Sequence, residues 1–144
     1  MHVLPTAALG AALLRVSLGV MYLAHSLLLK LLTFGLAGTA GYFGSIGLPG
    51  WLAYATFAAE AVGGALLVLG IQARWTALAL IPALVGAIVF AHASNGWVFT
   101  AAGGGWEYPA FLIAASLAFA LIGDGARALS PSRPLGRTPA ARLA

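Results

Sequence analysis

Four long stretches of apolar residues divide the chain, and most polar residues lie between them. The stretches cover residues 8–29, 51–69, 75–91 and 108–122. A helix rises about 1.5 Å per residue and a bilayer core is about 30 Å thick, so about 20 apolar residues can cross it. The pattern predicts four membrane-spanning helices, the last being the shortest. Short connections between them favour an all-α, antiparallel four-helix bundle that is integral to the membrane.

Composition agrees with the hydrophobic pattern and narrows the function. Of the 144 residues, 62% are hydrophobic and 7% are charged, and mean hydropathy is +1.00, which excludes a water-soluble domain. Little length remains for a soluble catalytic domain. The chain has no cysteine, which excludes thiol redox chemistry, thiolate zinc sites and cysteine-ligated clusters. Electrons would therefore need a bound cofactor or a partner.

Basic residues predict the orientation in the membrane. Five of them follow the second span or lie in the C-terminal tail: Arg74, Arg127, Arg133, Arg137 and Arg142. The positive-inside rule makes that side, with both termini, cytoplasmic.

The charge pattern also divides the chain into a membrane domain of residues 1–124 and a basic tail of residues 125–144. The tail has no apolar periodicity and is expected to be disordered and to lie along anionic lipid. Membrane lipids are therefore a predicted partner. Nucleic acid is not, because no aromatic stacking platform accompanies the arginines.

Acidic residues are rare, and one of them falls in the middle of a span. The chain has three, Glu60, Glu107 and Asp124. A carboxyl group at bilayer depth costs a few kcal/mol, about 3 on insertion scales, so Glu60 should face a protein interior. One hypothesis pairs it with Arg15, which lies on a polar stripe of the first span, and makes the pair structural. The other makes Glu60 a functional acid that accepts a proton or orients a ligand.

Further polar residues lie near the predicted outer ends of the spans, and we expect them to meet in space. They are His25, Lys30, His92, Asn95, Glu107 and Tyr108. A quinone headgroup held by His or Lys beside an apolar cleft fits this set. Haem is disfavoured, because a bis-histidine site needs matched depth and second-shell partners. The simplest alternative is that lipid headgroups solvate these residues individually.

Together these observations give a set of candidate cofactor-binding residues: His25, Lys30, Glu60, His92, Glu107 and Tyr108. The candidate cofactor is a quinone. No metal site is predicted, because three scattered histidines lack recognisable ligand spacing. No catalytic residue can be assigned.

Several short motifs, in order along the chain, resemble the DoxX family of small bacterial membrane proteins. They are His25 followed by Lys30, the run AGTAGYFGSIGLP at residues 37–49, EAVGG at residues 60–64, His92 followed by Asn95-Gly96, and GGWEYP at residues 104–109. The resemblance covers nearly the whole chain. It implies a four-helix fold in the bacterial plasma membrane.

The same resemblance implies possible roles. The family takes its name from a subunit of an archaeal thiosulfate:quinone oxidoreductase, and mycobacterial relatives assemble with superoxide dismutase and a sulfurtransferase-like protein. The leading hypothesis is therefore the membrane subunit of a quinone-linked oxidoreductase complex, which anchors a soluble or membrane redox subunit, binds a quinone, or does both. The alternative is a non-enzymatic scaffold or assembly factor. A third hypothesis, a small-solute or proton carrier, would require a homo-oligomer formed through Gly-rich faces such as residues 10–19.

Overall fold

The protein is described by a computed structural model that covers residues 5–135. Within that range the secondary structure is helical and no β-strand occurs. Ile71 and Ser130 form an isolated β-bridge. The helices are α1 (Thr6–Leu23), a π-helical continuation of α1 (Ala24–Thr33), α2 (Leu36–Ser45), α3 (Trp51–Leu69), α4 (Ala73–Gly86), its π-helical continuation (Ala87–His92) with a 3-10 turn (Ala93–Asn95), and α5 (Glu107–Ile122).

Three continuous helices are long and apolar enough to cross a membrane. They are Thr6–Thr33, Trp51–Leu69 and Ala73–Asn95, and a shorter apolar helix covers Glu107–Ile122. The chain is therefore an all-helical membrane protein. The predicted second span has the same limits as α3, whereas the first and third helices extend several residues beyond their predicted ends. Polar residues at these ends, such as Lys30 and Asn95, hide the extensions from a hydropathy pattern.

Helices α1 and α3 approach so closely that their backbones touch. A Cβ atom on Gly19 would lie 2.8 Å from the carbonyl oxygen of Gly64, and one on Gly64 would lie 2.9 Å from that of Gly19. Small residues permit such crossings, and in a membrane close backbone packing is a main source of helix association. The two glycines therefore fix how α1 lies on α3.

The hydrophobic core lies where α1, α3, α4 and α5 face one another. Its largest fully buried side chains are Phe119 and Leu67. Helix α1 contacts α3 and α5, and α4 also contacts both α3 and α5. The outward faces of the helices remain apolar, as lipid contact requires.

The second half of the first long helix is a π-helix rather than an α-helix. It runs for ten residues, Ala24–Thr33, and includes His25 and Lys30. A π-helical segment changes the angular position of each following side chain and often occurs at functional sites. The polar residues of this segment therefore do not follow the helical wheel of α1.

At one end of the molecule the chain after α5 returns to the other helix ends. Ser130 N–H donates to the carbonyl of Gly70 at 3.0 Å, and Gln72 N–H donates to the carbonyl of Ser130 at 2.9 Å. Ala126 N–H donates to the carbonyl of Ala8 at 2.9 Å. The first part of the predicted tail is thus bound to the helices. The predicted boundary at residue 125 stays a prediction, and residues 136–144 lie outside the described range.

Candidate functional site

Glu60 is paired with Lys30, so the predicted pairing with Arg15 is wrong. The Lys30 ammonium lies 2.6 Å from Glu60 Oε2, and the two side chains are 16% and 10% exposed. The long lysine stem lets a residue near the end of the π-helix reach the middle of α3. This contact joins α3 to the π-helical half of the first helix.

Arg15 instead binds the carboxyl-terminal end of α3. Its Nη1 donates to the carbonyl oxygens of Leu67 at 3.3 Å and Val68 at 3.4 Å, and its Nη2 donates to that of Ala126 at 3.1 Å. The last carbonyls of a helix lack intrahelical partners and carry partial negative charge, so a guanidinium stabilises them. This is why Arg15 needs no carboxylate.

Two buried hydroxyl groups, those of Tyr22 and Ser116, lie in the interior near Glu60. Tyr22 is 3% exposed and Ser116 is fully buried. The hydroxyls are neighbours, but neither meets the geometry of a hydrogen bond with any residue described. Tyr22 belongs to the polar stripe predicted on the first span. Nothing in the sequence distinguishes Ser116, because an isolated serine is common in apolar helices.

His25 and Tyr108 stack on each other at the opposite end of the molecule from Arg15. Their ring centroids are 6.1 Å apart and the planes differ by 20°. His25 Nδ1 lies 2.9 Å from the carbonyl oxygen of Met21, and a carbonyl can only accept, so Nδ1 carries the hydrogen. In the neutral ring Nε2 is then the acceptor. The Tyr108 hydroxyl donates to Met21 Sδ at 3.3 Å, a weak acceptor.

Tyr108 also lines an apolar cleft of about 570 Å³ between α5 and the loop that precedes it. The lining residues are Trp97, Phe99, Glu107, Tyr108, Ala110, Phe111 and Ala114. Glu107 Oε1 accepts a 2.7 Å hydrogen bond from Phe99 N–H, which holds the loop against the start of α5. The cleft therefore has aromatic walls and a carboxylate and a phenol at one end.

His92 holds this loop in place rather than joining His25. Its Nδ1 lies 2.9 Å from the carbonyl oxygen of Gly104. Asn95 Nδ2 donates to the same carbonyl at 3.0 Å and to that of Ala91 at 3.1 Å. Gly104 has a φ of 76°, which glycine adopts without strain. The two side chains thus tie the loop back to the end of the third long helix.

The six predicted site residues form three groups. Lys30 and Glu60 form the interior pair; His25, Tyr108 and Glu107 lie at or behind the cleft; His92 ties the loop. The sequence does not identify the aromatic walls, because a tryptophan such as Trp97 near the end of a span is expected as an interfacial anchor. Phe99 and Phe111 carried no signal, since phenylalanine is expected in any apolar span. Among residues 5–135 no group of three His, Cys, Asp or Glu side chains could hold a metal ion.

Comparison with known proteins identifies the family. No solved structure matches the chain significantly. A protein of Bacillus subtilis (strain 168), named "Putative oxidoreductase CatD", is 33% identical over 123 residues, which cover 85% of this chain and 86% of the relative. The DoxX family profile matches residues 10–93, which include most of α1, all of α3 and α4, and the Lys30–Glu60 pair. The chain belongs to the DoxX family.

Proposed function

We propose that this protein is the membrane subunit of a quinone-linked oxidoreductase and that the cleft beside α5 binds the quinone headgroup. The cleft itself carries the proposal: it has about 570 Å³ of space, aromatic walls, and the polar groups of Glu107 and Tyr108 at one end. Small-molecule sites typically combine an apolar wall with a few oriented polar groups. The name of the Bacillus subtilis relative supports a link to oxidoreductases.

The residues of the cleft fit a quinone. A bound quinone would supply two-electron, two-proton chemistry, for which this cysteine-free chain has no side chain. The Tyr108 phenol can donate to a headgroup carbonyl, because its only hydrogen-bond partner among residues 5–135 is the Met21 thioether. The Glu107 carboxylate can accept from a headgroup hydroxyl, and Phe111 and Trp97 offer stacking surfaces.

His25 is the proposed proton acceptor behind the cleft. Its ring stacks on Tyr108, and its hydrogen bond to Met21 leaves Nε2 as the basic nitrogen. A neutral imidazole can accept a proton at one ring nitrogen while the other donates a hydrogen bond. We therefore assign His25 and Tyr108 to proton transfer, and Glu107 to orienting the headgroup.

We assign a structural role to the Lys30–Glu60 pair. The two charges neutralise each other within the helices, and the contact fixes the π-helical half of the first helix on α3. That half carries His25, so the pair positions the proposed site without belonging to it. The competing hypothesis, in which Glu60 itself is a functional acid, predicts loss of activity in a fully stable variant.

We further propose that the three long helices and the shorter α5 all cross the bacterial plasma membrane, as an antiparallel bundle with both termini in the cytoplasm. The chain after α5 hydrogen-bonds both to the start of α1 and to the turn before α4, which supports an even number of crossings. Arg74, Arg127 and Arg133 belong to this end, as the positive-inside rule expects for the cytoplasmic side. The cleft then opens on the outer side, where a redox subunit would dock.

A scaffold role is the second candidate function, and the outer surface favours it. Phe34, Tyr42 and Trp51 are 64%, 50% and 67% exposed near α2. Such a surface could seat a partner protein or lie in the lipid interface. A scaffold role of this kind requires no bound quinone.

Gentle extraction into lipid nanodiscs, followed by mass spectrometry of the bound lipids and proteins, tests the proposal. We expect quinone and a redox protein to be recovered in stoichiometric amounts. Ala114→Trp should fill the cleft and abolish quinone recovery. Ala118→Trp lies one turn further along α5, outside the cleft lining, and should retain it. Recovery of a non-redox partner without quinone would favour the scaffold role.

A further inference from the structure

A second cavity, of about 420 Å³, lies at the end of the molecule opposite the cleft. It is bordered by the first turns of α1, the start of α4 and the chain that follows α5. Its lining residues are Ala7, Ala8, Ala11, Arg74, Ile122, Gly123, Asp124, Gly125, Pro131, Ser132 and Pro134. None of them lines the proposed quinone cleft, so the two cavities are separate.

The cavity wall contains a buried arginine whose guanidinium forms no ion pair with the described residues. Arg74 is 6% exposed, and its Nη1 donates to the carbonyl of Ala120 at the end of α5. Its Nε is buried without a hydrogen-bond partner among the described residues. No carboxylate oxygen of residues 5–135 lies within 4.0 Å of the guanidinium. No carboxylate of the described residues therefore forms an ion pair with this guanidinium.

The carboxylate in the cavity, that of Asp124, accepts hydrogen bonds from backbone N–H groups. Its Oδ1 accepts from Arg74 N–H at 3.1 Å, and its Oδ2 accepts from Ser132 N–H. The carboxylate thus caps the start of α4 and holds the chain around Ser132 in position. Ser132 Oγ accepts from Arg74 N–H at 3.2 Å, which leaves the hydroxyl hydrogen available to donate.

Further positive charge surrounds the cavity. Arg133 is exposed between two lining residues, Ser132 and Pro134, and Arg127 is exposed nearby in sequence. Arg15 adds a buried guanidinium that donates to the carbonyl of Ala126. Four arginines against one aspartate at this end give a local net charge of +3. The local field favours an anion.

The rest of the lining is apolar and continues onto the lipid-facing surface. Ile122 lines the cavity and is 61% exposed, and Ala7, Ala8 and Pro131 complete the apolar wall. A free phosphate ion would gain nothing from these groups. A phosphodiester that carries acyl chains would use both the cationic and the apolar parts.

We infer that this cavity binds the phosphate headgroup of an anionic phospholipid such as phosphatidylglycerol. Ser132 donates to a phosphate oxygen, Arg74 and Arg133 supply the compensating charge, and the acyl chains lie along Ile122 and the start of α1. A zwitterionic lipid has no net charge to balance the arginines and binds more weakly. The bound lipid seals the chain after α5 against the helix ends.

Native mass spectrometry of the full chain, exchanged into equal amounts of phosphatidylglycerol and phosphatidylcholine, tests this inference. We expect one retained phosphatidylglycerol. Ala7→Trp should fill the cavity and abolish retention, whereas Leu13→Trp, at an exposed position of α1 outside the lining, should not. Arg133→Gln should weaken retention about fivefold, as expected for one surface charge near an anionic lipid. Because the Arg133 side chain is exposed, this substitution should not disturb folding, so weaker retention would report on lipid binding.

Three results would overturn the inference. The first is equal retention of the two lipids by the native chain. The second is unchanged retention of phosphatidylglycerol in both Ala7→Trp and Arg133→Gln. The third is displacement of the lipid by inorganic phosphate alone, which would make the cavity a site for free anions. Quinone recovery tests a different cavity, so the two proposals can fail separately.

Discussion

Removing either charge of the Lys30–Glu60 pair should destabilise the protein strongly, and removing both should not. The pair is largely enclosed, since its side chains are only 16% and 10% exposed. Loss of one partner from a buried pair leaves an uncompensated charge and costs about 3–5 kcal/mol. The lysine stem can move its ammonium toward the surface, so we expect about 3 kcal/mol for Glu60→Gln, near the lower limit.

The double variant Lys30→Met/Glu60→Gln removes both charges and keeps the side-chain lengths similar. Replacement of a buried ion pair by neutral groups is often close to neutral for stability. We expect a loss of about 1 kcal/mol, the net worth of an ordinary hydrogen bond. The pair should therefore show a coupling energy of several kcal/mol in a double-mutant cycle.

Thermal unfolding of the purified protein in nanodiscs, followed by circular dichroism, measures these effects. For a chain of this size 1 kcal/mol shifts the melting temperature by about 2–4 °C, so each single variant should melt roughly 6–12 °C lower. The double variant should melt within about 4 °C of the native chain and should still bind quinone. Single variants that melt like the native chain, or a double variant as unstable as the sum of the two, would refute the structural role.

Three further predictions concern packing and the loop. Gly64→Val should lower the unfolding free energy by at least about 2 kcal/mol, because its Cβ would press on the Gly19 carbonyl. The control Gly10→Val, at a position with no neighbour within 4 Å, should melt at nearly the native temperature. Arg15→Met should cost about 1–3 kcal/mol in the same assay, since it leaves buried carbonyls at the end of α3 without a donor; a native melting temperature would show that those carbonyls find other partners. Asn95→Ala should increase hydrogen exchange in residues 96–106 and leave α3 protected, because the Asn95 side chain no longer bonds to Gly104 and Ala91. Equal exchange rates of this loop in the native and variant chains would contradict the anchoring role.

The sequence predicted the features of the fold that depend on hydropathy. Apolar length identified the spans, and α3 begins and ends where the pattern predicts. Gly63 and Gly64 both lie in close helix contacts, which glycines in a span favour because only small residues allow backbones to touch. These signals are local, so one sequence suffices to detect them.

The partners of the buried charges could not be predicted in the same way. A helical wheel assumes a constant turn, but the π-helix after Leu23 changes the direction of Lys30. The length of the lysine stem then brings it to Glu60. Arg15 binds backbone carbonyls, a type of partner that no residue letter indicates.

The cleft could not be predicted from a sequence pattern either, because it depends on how a loop folds. Hydrogen bonds of His92 and Asn95 to Gly104, and of Glu107 to Phe99, hold its wall in place. Candidate residues such as Glu107 and Tyr108 could be named from their polarity. Their separation from the Lys30–Glu60 pair could not.

The most direct test of the quinone proposal uses the tryptophans of the protein itself. Trp97 lines the cleft and packs edge-to-face on Trp106 at 4.4 Å, whereas Trp51 and Trp75 lie outside the cleft lining. A short-tailed quinone would be titrated into nanodiscs that contain Trp51→Phe/Trp75→Phe, with Trp97→Phe/Trp106→Phe as the matched control. With a quinone site in this cleft, we expect saturable fluorescence quenching in the first variant, linear quenching in the control, and loss of saturation when Ala114→Trp is added. Linear quenching in both variants would contradict a quinone site in this cleft.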